Sequence, residues 1–273
     1  MTLKGTSVLV ATDLSARSDR AVDRAILFAR QRGLEPKVLH VASEKDTRDE
    51  IRIKQDVRNV LPDPDANIAI ALRRGAAPEA IAKFSIEENC ALIVTGVARL
   101  NEFRDYFLGT AIDYLLREAD APVLIVKQRP HRPYGRIAVL TDFSELSRTA
   151  LITAASLLPD AKLTLVHAYR APFETRLDSE ELRELAKTTA LNDMRAFVDS
   201  KDIAEDVRRR LEERVVHGSI QSALDEVIAS DRPDLIALGA KGQSALAHVA
   251  LGSTAQLLLP WVETDTLVVL HKR

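Results

Sequence analysis

Short apolar runs alternate along the first half of the chain with longer segments whose apolar residues recur at helical spacing. An uninterrupted apolar run is typical of a parallel strand, because such a strand is covered on both faces. Strands are therefore predicted at 7–11, 37–41, 67–72, 90–96 and 122–127. Helices are predicted at 46–60, 77–88 and 108–117, and in a segment that Ser15 caps and that ends before Gly33.

The second half repeats this order of elements. Strands are predicted at 136–140, 162–168, 212–217, 235–239 and 266–270, and a helix is predicted directly after Gly252. One length differs between the halves: His40 and Gly75 are 35 positions apart, whereas His167 and Gly218 are 51 positions apart. The additional residues lie in the charged stretch 178–205, which predicts a longer helical arm in the second half.

Sequence motifs are repeated together with the elements. Thr12-Asp13 follows the first predicted strand, and Thr141-Asp142 follows the corresponding strand of the second half. A repeat of this length is a domain rather than a unit of a solenoid. Two domains are expected, at 1–128 and 136–273, joined by a proline-rich linker at 129–135. Strands that alternate with helices predict an α/β fold, with two tandem doubly wound parallel sheets of about five strands each.

Composition narrows the function classes. The net charge is −2, and neither half has the basic excess expected of a nucleic-acid-binding protein. No apolar stretch approaches the ~20 residues of a membrane span. The chain enters a predicted strand at once, so neither a signal peptide nor a membrane partner is expected. A cytoplasmic location is expected instead. The single cysteine, Cys90, excludes an intrachain disulfide and is expected to be a buried thiol. The histidines show no metal-ligand spacing, so no protein metal site is expected.

The most informative chemistry lies near the C-terminus. Gly239-Ala-Lys-Gly242 is followed by nine residues and then by Gly252-Ser-Thr254, at the start of a predicted helix. Glycine lets the backbone approach a ligand closely, and a helix N-terminus offers unpaired N–H groups and the positive end of its dipole. The pattern therefore favours an anion site, such as one for a phosphate group. A strand exit followed by an ordinary helix cap is the alternative interpretation.

Other polar signals converge on the same edge of the predicted sheet. Asp142, Ala168 and Gly239 all follow or end predicted parallel strands of the second half. Ligands of open α/β sheets bind at the carboxyl ends of the strands, so these positions are expected to share one site. Asp142 has a second interpretation, because an aspartate two residues before Ser144 could simply cap the next helix.

The order of strand-Thr-Asp, strand-His and Gly-x-x-Gly-x9-Gly-Ser resembles the universal stress protein family in its tandem two-domain form. The resemblance covers essentially the whole chain. It implies a Rossmann-like fold of the adenine-nucleotide alpha hydrolase type in both domains. It also implies a nucleotide-binding protein of the stress response that acts on a protein partner, which the sequence does not identify, through nucleotide-dependent conformation.

The family's ATP-binding positions map onto the second half. Thr141 and Asp142 would face the adenosine end of the ligand, and Ala168 would approach the base through its backbone. The resemblance assigns the ribose and the phosphates to Gly239, Gly242, Gly252, Ser253 and Thr254, with Lys241 as a further cation or as an ordinary solvated lysine. Mg²⁺ is expected on the phosphates, since hard cations prefer oxygen ligands.

The first half departs from this pattern at one position. Arg99 stands where the second glycine of the motif should be, followed after nine residues by Gly109-Thr110. Because a long guanidinium side chain would occupy the phosphate channel or clamp another anion, one ATP per chain is expected, in the second half. Family members pair through their last strand, so 123–126 and 267–270 are expected to pair within the chain as a pseudo-dimer. A homodimer of whole chains is also open.

Two other function classes remain open. The first is an ATP-using enzyme, either a slow ATPase or an adenylating enzyme; however, the glycine motif lacks the Gly-Lys-Ser/Thr ending of a P-loop. The chain also shows no candidate nucleophile–base pair, so no catalytic residue is assigned and an enzyme is not the leading interpretation. The second is an interaction module that binds no nucleotide. Binding without turnover, turnover, or no binding would separate the three.

Overall fold

A computed structural model describes residues 5–97, 110–171, 180–240 and 252–270. Its strands form one ten-stranded sheet in the order β3-β2-β1-β4-β5-β10-β9-β6-β7-β8. The first five strands come from the first half of the chain and the last five from the second. Each half has the strand order of a doubly wound α/β fold, which confirms the predicted fold class.

The elements of the first half are β1 (Ser7–Thr12), α1 (Ala16–Arg32), β2 (Glu35–Ala42), α2 (Glu50–Asn59), β3 (Ala69–Arg74), α3 (Ala77–Glu87), β4 (Cys90–Gly96), α4 (Thr110–Glu118) and β5 (Val123–Val126). Those of the second half are β6 (Arg136–Leu140), α5 (Glu145–Leu157), β7 (Lys162–Tyr169), α6 (Glu180–Val198), α7 (Glu205–Arg208), β8 (Leu211–His217), α8 (Ile220–Asp231), β9 (Leu235–Gly239), α9 (Ser253–Trp261) and β10 (Asp265–Val269).

Most observed elements match the predicted bounds to within one or two residues, and three differences stand out. Helix α2 begins after Asp49 rather than at residue 46, because the Asp49 carboxylate accepts a hydrogen bond from the Arg52 N–H at 2.7 Å and caps the helix there. Strand β3 lies two residues later than predicted, because its register is set by pairing with β2. The predicted helical arm 178–205 is present as α6, but a break after Val198 separates it from the short helix α7.

The two halves join through their last strands. All described pairings within each half are parallel, whereas β5 and β10 pair antiparallel, with Leu124 opposite Leu267. The four residues of β5 are almost completely buried. The predicted internal pairing of these strands is therefore confirmed. It removes two apolar sheet edges that would otherwise invite aggregation.

A buried polar cluster lies at this junction. The Asp265 carboxylate, 1% exposed, accepts hydrogen bonds from the Lys127 and Gln128 N–H groups at 2.7 and 2.8 Å and from the Tyr134 hydroxyl at 2.6 Å. The Arg24 guanidinium lies 3.6 Å from it and stacks on the Tyr134 ring. Every polar group of Asp265 is thus engaged, as burial requires. The cluster ties α1, the end of β5 and the linker to the start of β10.

Cys90 is buried and not in a disulfide, as predicted, and burial raises the pKa of its thiol. Among the described residues, no helix has both the length and the apolar character needed to cross a bilayer. The cytoplasmic location stays a prediction.

Candidate functional site

The turn between β6 and α5 places the first group of site residues. The Thr141 hydroxyl accepts a hydrogen bond from the Phe143 N–H at 2.9 Å and lies 2.9 Å from the Ser147 hydroxyl. This bonding holds Phe143 at φ 63°, a left-handed conformation that a large side chain adopts only at a cost. The Ser144 hydroxyl accepts from the Ser147 N–H at 3.2 Å and caps α5.

Asp142 has a structural role in this turn, but it is not the helix cap. Its carboxylate accepts a hydrogen bond from the Ser144 N–H at 3.1 Å, whereas the cap position belongs to Ser144. The alternative interpretation of Asp142 as the helix cap was therefore wrong, because Ser144 is the cap. Asp142 is exposed at the carboxyl end of β6, where a ligand can reach it.

The neighbouring strand β7 contributes His167 and Ala168. The Nδ1 atom of His167 lies 2.9 Å from the Thr141 carbonyl oxygen, and its ring stacks on Phe143 with centroids 4.2 Å apart. His40 makes the same contact with Thr12 in the first half, at 2.9 Å. Both histidines therefore have the structural hydrogen bond that their equivalent positions suggest. Ala168 is half-buried beside this pair.

Gly239, at the end of β9, is required by packing as well as by any ligand. A Cβ atom at this position would lie 2.7 Å from Cγ of Leu146, a buried residue of α5. Glycine here therefore lets α5 approach the sheet closely. This packing role of Gly239 was not predicted from the sequence. The ends of the glycine-rich segment meet nearby, because the Gly252 N–H donates to the Ala240 carbonyl.

These segments enclose a cavity of about 380 Å³ at the carboxyl ends of the strands. Six of the nine predicted site residues line it: Thr141, Asp142, Ala168, Gly239, Gly252 and Thr254. Ser253 is exposed at the start of α9 and is not among the lining residues. Lys241 and Gly242 lie outside the described residues. Four separate segments of chain thus converge as the strand-end argument predicts.

Other lining residues were not singled out from the sequence. They include the apolar side chains of Leu140, Ile220 and Leu238, the Ser147 hydroxyl, Arg170 and Gly218. Gly218 directly follows β8 and has φ 124°; in the sequence it was visible only as the counterpart of Gly75. Arg170 lies two residues after Ala168 and makes no ion pair or hydrogen bond within the described part of the chain. Its position at a strand end was the available signal.

The corresponding turn of the first half is bonded differently. The Ser15 N–H and hydroxyl both donate to the Asp13 carboxylate, at 3.0 and 2.6 Å. Burial opposes the ionisation of Asp13, but these hydrogen bonds outweigh it and lower the pKa. Ser15 occupies the N-cap position of α1, as predicted, but its side chain makes no capping hydrogen bond. Thr110 begins α4, while Arg99 and Gly109 lie outside the described residues.

The fold defines a doubly wound α/β protein with a cavity at the carboxyl ends of its strands, and sequence comparison identifies its family. The model of the Universal stress protein family matches residues 6–127 and again residues 133–269, so the chain belongs to this family. Universal stress protein Rv1636 of Mycobacterium tuberculosis is 29% identical over 140 residues, which are 50% of this chain and 96% of that protein.

Solved structures agree on the fold over the full length. A universal stress protein from Archaeoglobus fulgidus DSM 4304 superposes with a TM-score of 0.68 at 18% identity, covering 98% of this chain and 99% of that one. The functionally unknown protein PA1789 from Pseudomonas aeruginosa PAO1 gives a TM-score of 0.69 at 19% identity, with 97% and 92% covered. At such identities the likeness concerns the fold alone.

Proposed function

We propose that the second half of the chain binds an adenine nucleotide, ATP with Mg²⁺, and that the bound nucleotide controls an interaction with a protein partner in the stress response. The observation that carries the proposal is the cavity of about 380 Å³, in which six family positions from four segments come together. Its volume lies in the range of small-molecule sites. Its apolar wall of Leu140, Ile220 and Leu238 suits a base.

The polar groups of the cavity suit the remaining parts of a nucleotide. The Asp142 carboxylate offers acceptors for hydroxyl or amine donors of the adenosine, and the Ala168 backbone lies beside it. Thr254, in the first turn of α9, adds a hydroxyl at the positive end of the helix dipole, where phosphate oxygens are favoured. Lys241 and Gly242 complete the motif in sequence. Mg²⁺ would take phosphate oxygens as ligands.

Binding without dedicated catalysis fits the hydrogen bonds at the site. The His167 Nδ1 atom is engaged with the Thr141 carbonyl, and the Ser147 hydroxyl donates to the Ser144 carbonyl at 2.8 Å. A nucleophile needs a base within hydrogen-bond reach, and these two side chains are committed to the turn instead. A slow ATPase is the alternative, and measured phosphate release would identify it.

The two halves are proposed to differ in occupancy, with one nucleotide per chain. Arg99 replaces a motif glycine in the first half alone. This substitution favours the second half as the nucleotide site.

The test is a matched pair of substitutions. Asp142→Asn keeps an oxygen for the Ser144 N–H but removes the charge, so ATP affinity by titration calorimetry should fall about tenfold. Asp13→Asn makes the same change in the other half and should leave affinity and a stoichiometry of one unchanged. Equal affinity in Asp142→Asn would refute the site, and a loss in Asp13→Asn would refute the asymmetry. The mass of any nucleotide released from the denatured wild type identifies the ligand.

A further inference from the structure

A second and larger cavity, of about 840 Å³, adjoins the nucleotide pocket. We call it the α6 cleft, because α6 forms one side of it. Asp142, His167 and Arg170 line both cavities. The helix that forms the cleft is specific to the second half. His167 and Gly218 are 51 positions apart, whereas His40 and Gly75 are 35 apart, and α6 lies within the longer segment.

Helix α6 presents a continuous stripe to this cleft. The stripe recurs every three or four positions and consists of Leu182, Leu185, Ala186, Thr189, Ala190, Asp193, Ala196 and Phe197. A helix normally buries such a stripe against another element. Here only its C-terminal part is buried, whereas Leu185 is 64% exposed. Leu185 therefore leaves apolar surface exposed beside the cleft.

Aromatic rings line the cleft from both sides, and one of them, Phe197, belongs to α6. Of the seven Phe and four Tyr residues in the chain, Phe143, Phe197 and Tyr169 line the cleft, together with His167. The Phe143 ring stacks on His167 and lies 5.7 Å from the Phe197 ring, with the planes tilted by 54°. Ring faces and edges grouped in this way favour a planar aromatic ligand over a flexible chain.

Two arginines outside α6 line the cleft and complement an anion: Arg148 on α5 and Arg170 just after β7. Arg170 has no ion pair or hydrogen bond among the described residues. Arg148 binds Glu145 and Asp202 through Nη1, but its Nε is buried and has no acceptor in the described part of the molecule. A buried donor without an acceptor costs stability unless a ligand supplies one.

The carboxylates of the cleft are placed differently. Asp142 accepts the Ser144 N–H, and Asp193 is exposed on α6, whereas both arginines lie outside α6. An anionic group is therefore accommodated beside Arg148 and Arg170, with its ring system between Phe143, His167 and the α6 stripe.

We propose that the α6 cleft is a binding site for a planar aromatic anion, a fused-ring carboxylate or sulfonate, next to the nucleotide. Arg170 serves both cavities and pairs with one anion at a time, so the aromatic anion and ATP weaken each other's binding. Such coupling is reciprocal, with the same factor for both ligands. The coupling rests on the proposed nucleotide function, whereas the cleft site does not.

The probe is 8-anilinonaphthalene-1-sulfonate, titrated by fluorescence and calorimetry without nucleotide. One site per chain is expected. Ala186→Trp fills the cleft and should abolish binding, whereas Thr188→Trp places the same side chain on exposed α6 surface outside the lining and should bind as the wild type does. Arg170→Gln should weaken binding about tenfold, which gives a second test if the tryptophan variant does not fold.

Three results would overturn the proposal. Unchanged binding in both Ala186→Trp and Arg170→Gln would show that the probe lies elsewhere. Displacement of the probe by an equal concentration of 1-decanesulfonate would show that the site does not select aromatic rings. Equal probe affinity with and without saturating ATP would refute the coupling. A chain that binds the probe but no ATP would refute the nucleotide function and leave the cleft site standing.

Discussion

Replacement of Asp265 by alanine should destabilise the whole chain severely. This carboxylate is 1% exposed and accepts from the Lys127 and Gln128 N–H groups and the Tyr134 hydroxyl, with Arg24 at 3.6 Å. Burial, and secondly the charge of Asp265, raise the pKa of Tyr134. Its phenol therefore stays protonated and donates the hydrogen bond. Alanine would leave three donors and the buried Arg24 guanidinium without this acceptor.

The size of the effect follows from the buried charge. Removing one partner of a buried ion pair costs about 3–5 kcal/mol, and the stranded N–H and O–H donors belong to the same network, so their losses are not added separately. A loss of about 4 kcal/mol corresponds to a fall in Tm of roughly 10 °C for a chain of this size. Asp265→Asn should lower the Tm by less than Asp265→Ala does, since asparagine keeps a hydrogen-bond acceptor but removes the charge that pairs with Arg24.

Differential scanning calorimetry is the assay, with Asp202→Ala as the matched control. Asp202 also pairs with an arginine, Arg148 at 3.2 Å, but its side chain is 62% exposed. Exposed pairs contribute little, so its Tm should change by less than about 2 °C. Similar shifts for the two variants would refute the reasoning that the junction is held by a desolvated carboxylate. A split of the Asp265→Ala endotherm into two would show that the halves melt separately once the cluster is lost.

Three further predictions concern the site and the junction. Gly239→Ala should lower the free energy of unfolding, measured in urea, by about 1–3 kcal/mol, because the new Cβ would lie 2.7 Å from Leu146 Cγ. Adding Leu146→Ala should lower it further by less than a leucine-to-alanine change usually does, because it relieves this clash. Burial lowers the pKa of Lys127 to about 8, although the nearby Asp265 charge opposes this shift. Between pH 8 and 10.5 the unfolded chain therefore binds more protons than the folded chain, so the free energy of unfolding should rise with pH in this range. Lys127→Met should reduce that slope by up to about 1.4 kcal/mol per pH unit. Gly242→Arg should abolish ATP binding in calorimetry, and Arg99→Gly should raise the stoichiometry from one toward two; two sites in the wild type would contradict the steric argument.

The repeated motifs were sufficient for the fold. Continuous apolar runs such as 90–96 are typical of strands covered on both faces, and their alternation with helices leaves few topologies. The likeness of 123–126 to 267–270, together with the family resemblance, also predicted that these strands pair, and the antiparallel β5–β10 pairing confirms it. These features are local in sequence, or follow from comparing one half with the other, so no coordinates are needed to find them.

The sequence also predicted where the candidate site lies, though not the work that each residue does. Thr141, Asp142, Ala168 and Gly239 come together because parallel strands end at one edge of the sheet. That Ser144 caps α5 while Ser15 bonds Asp13 was not predictable, since both serines occupy the same place in the motif. The choice between two nearby acceptors depends on small differences in geometry.

Contacts between distant segments were decided by the tertiary structure alone. Nothing near Gly239 in the chain indicates that Leu146 lies against it, and nothing near Asp265 indicates three donors from β5 and the linker. The α6 cleft likewise depends on how far an inserted helix stands from the sheet. The apolar pattern specifies which face of an element is buried, but the distance and the partner across that face are set only when all elements pack together.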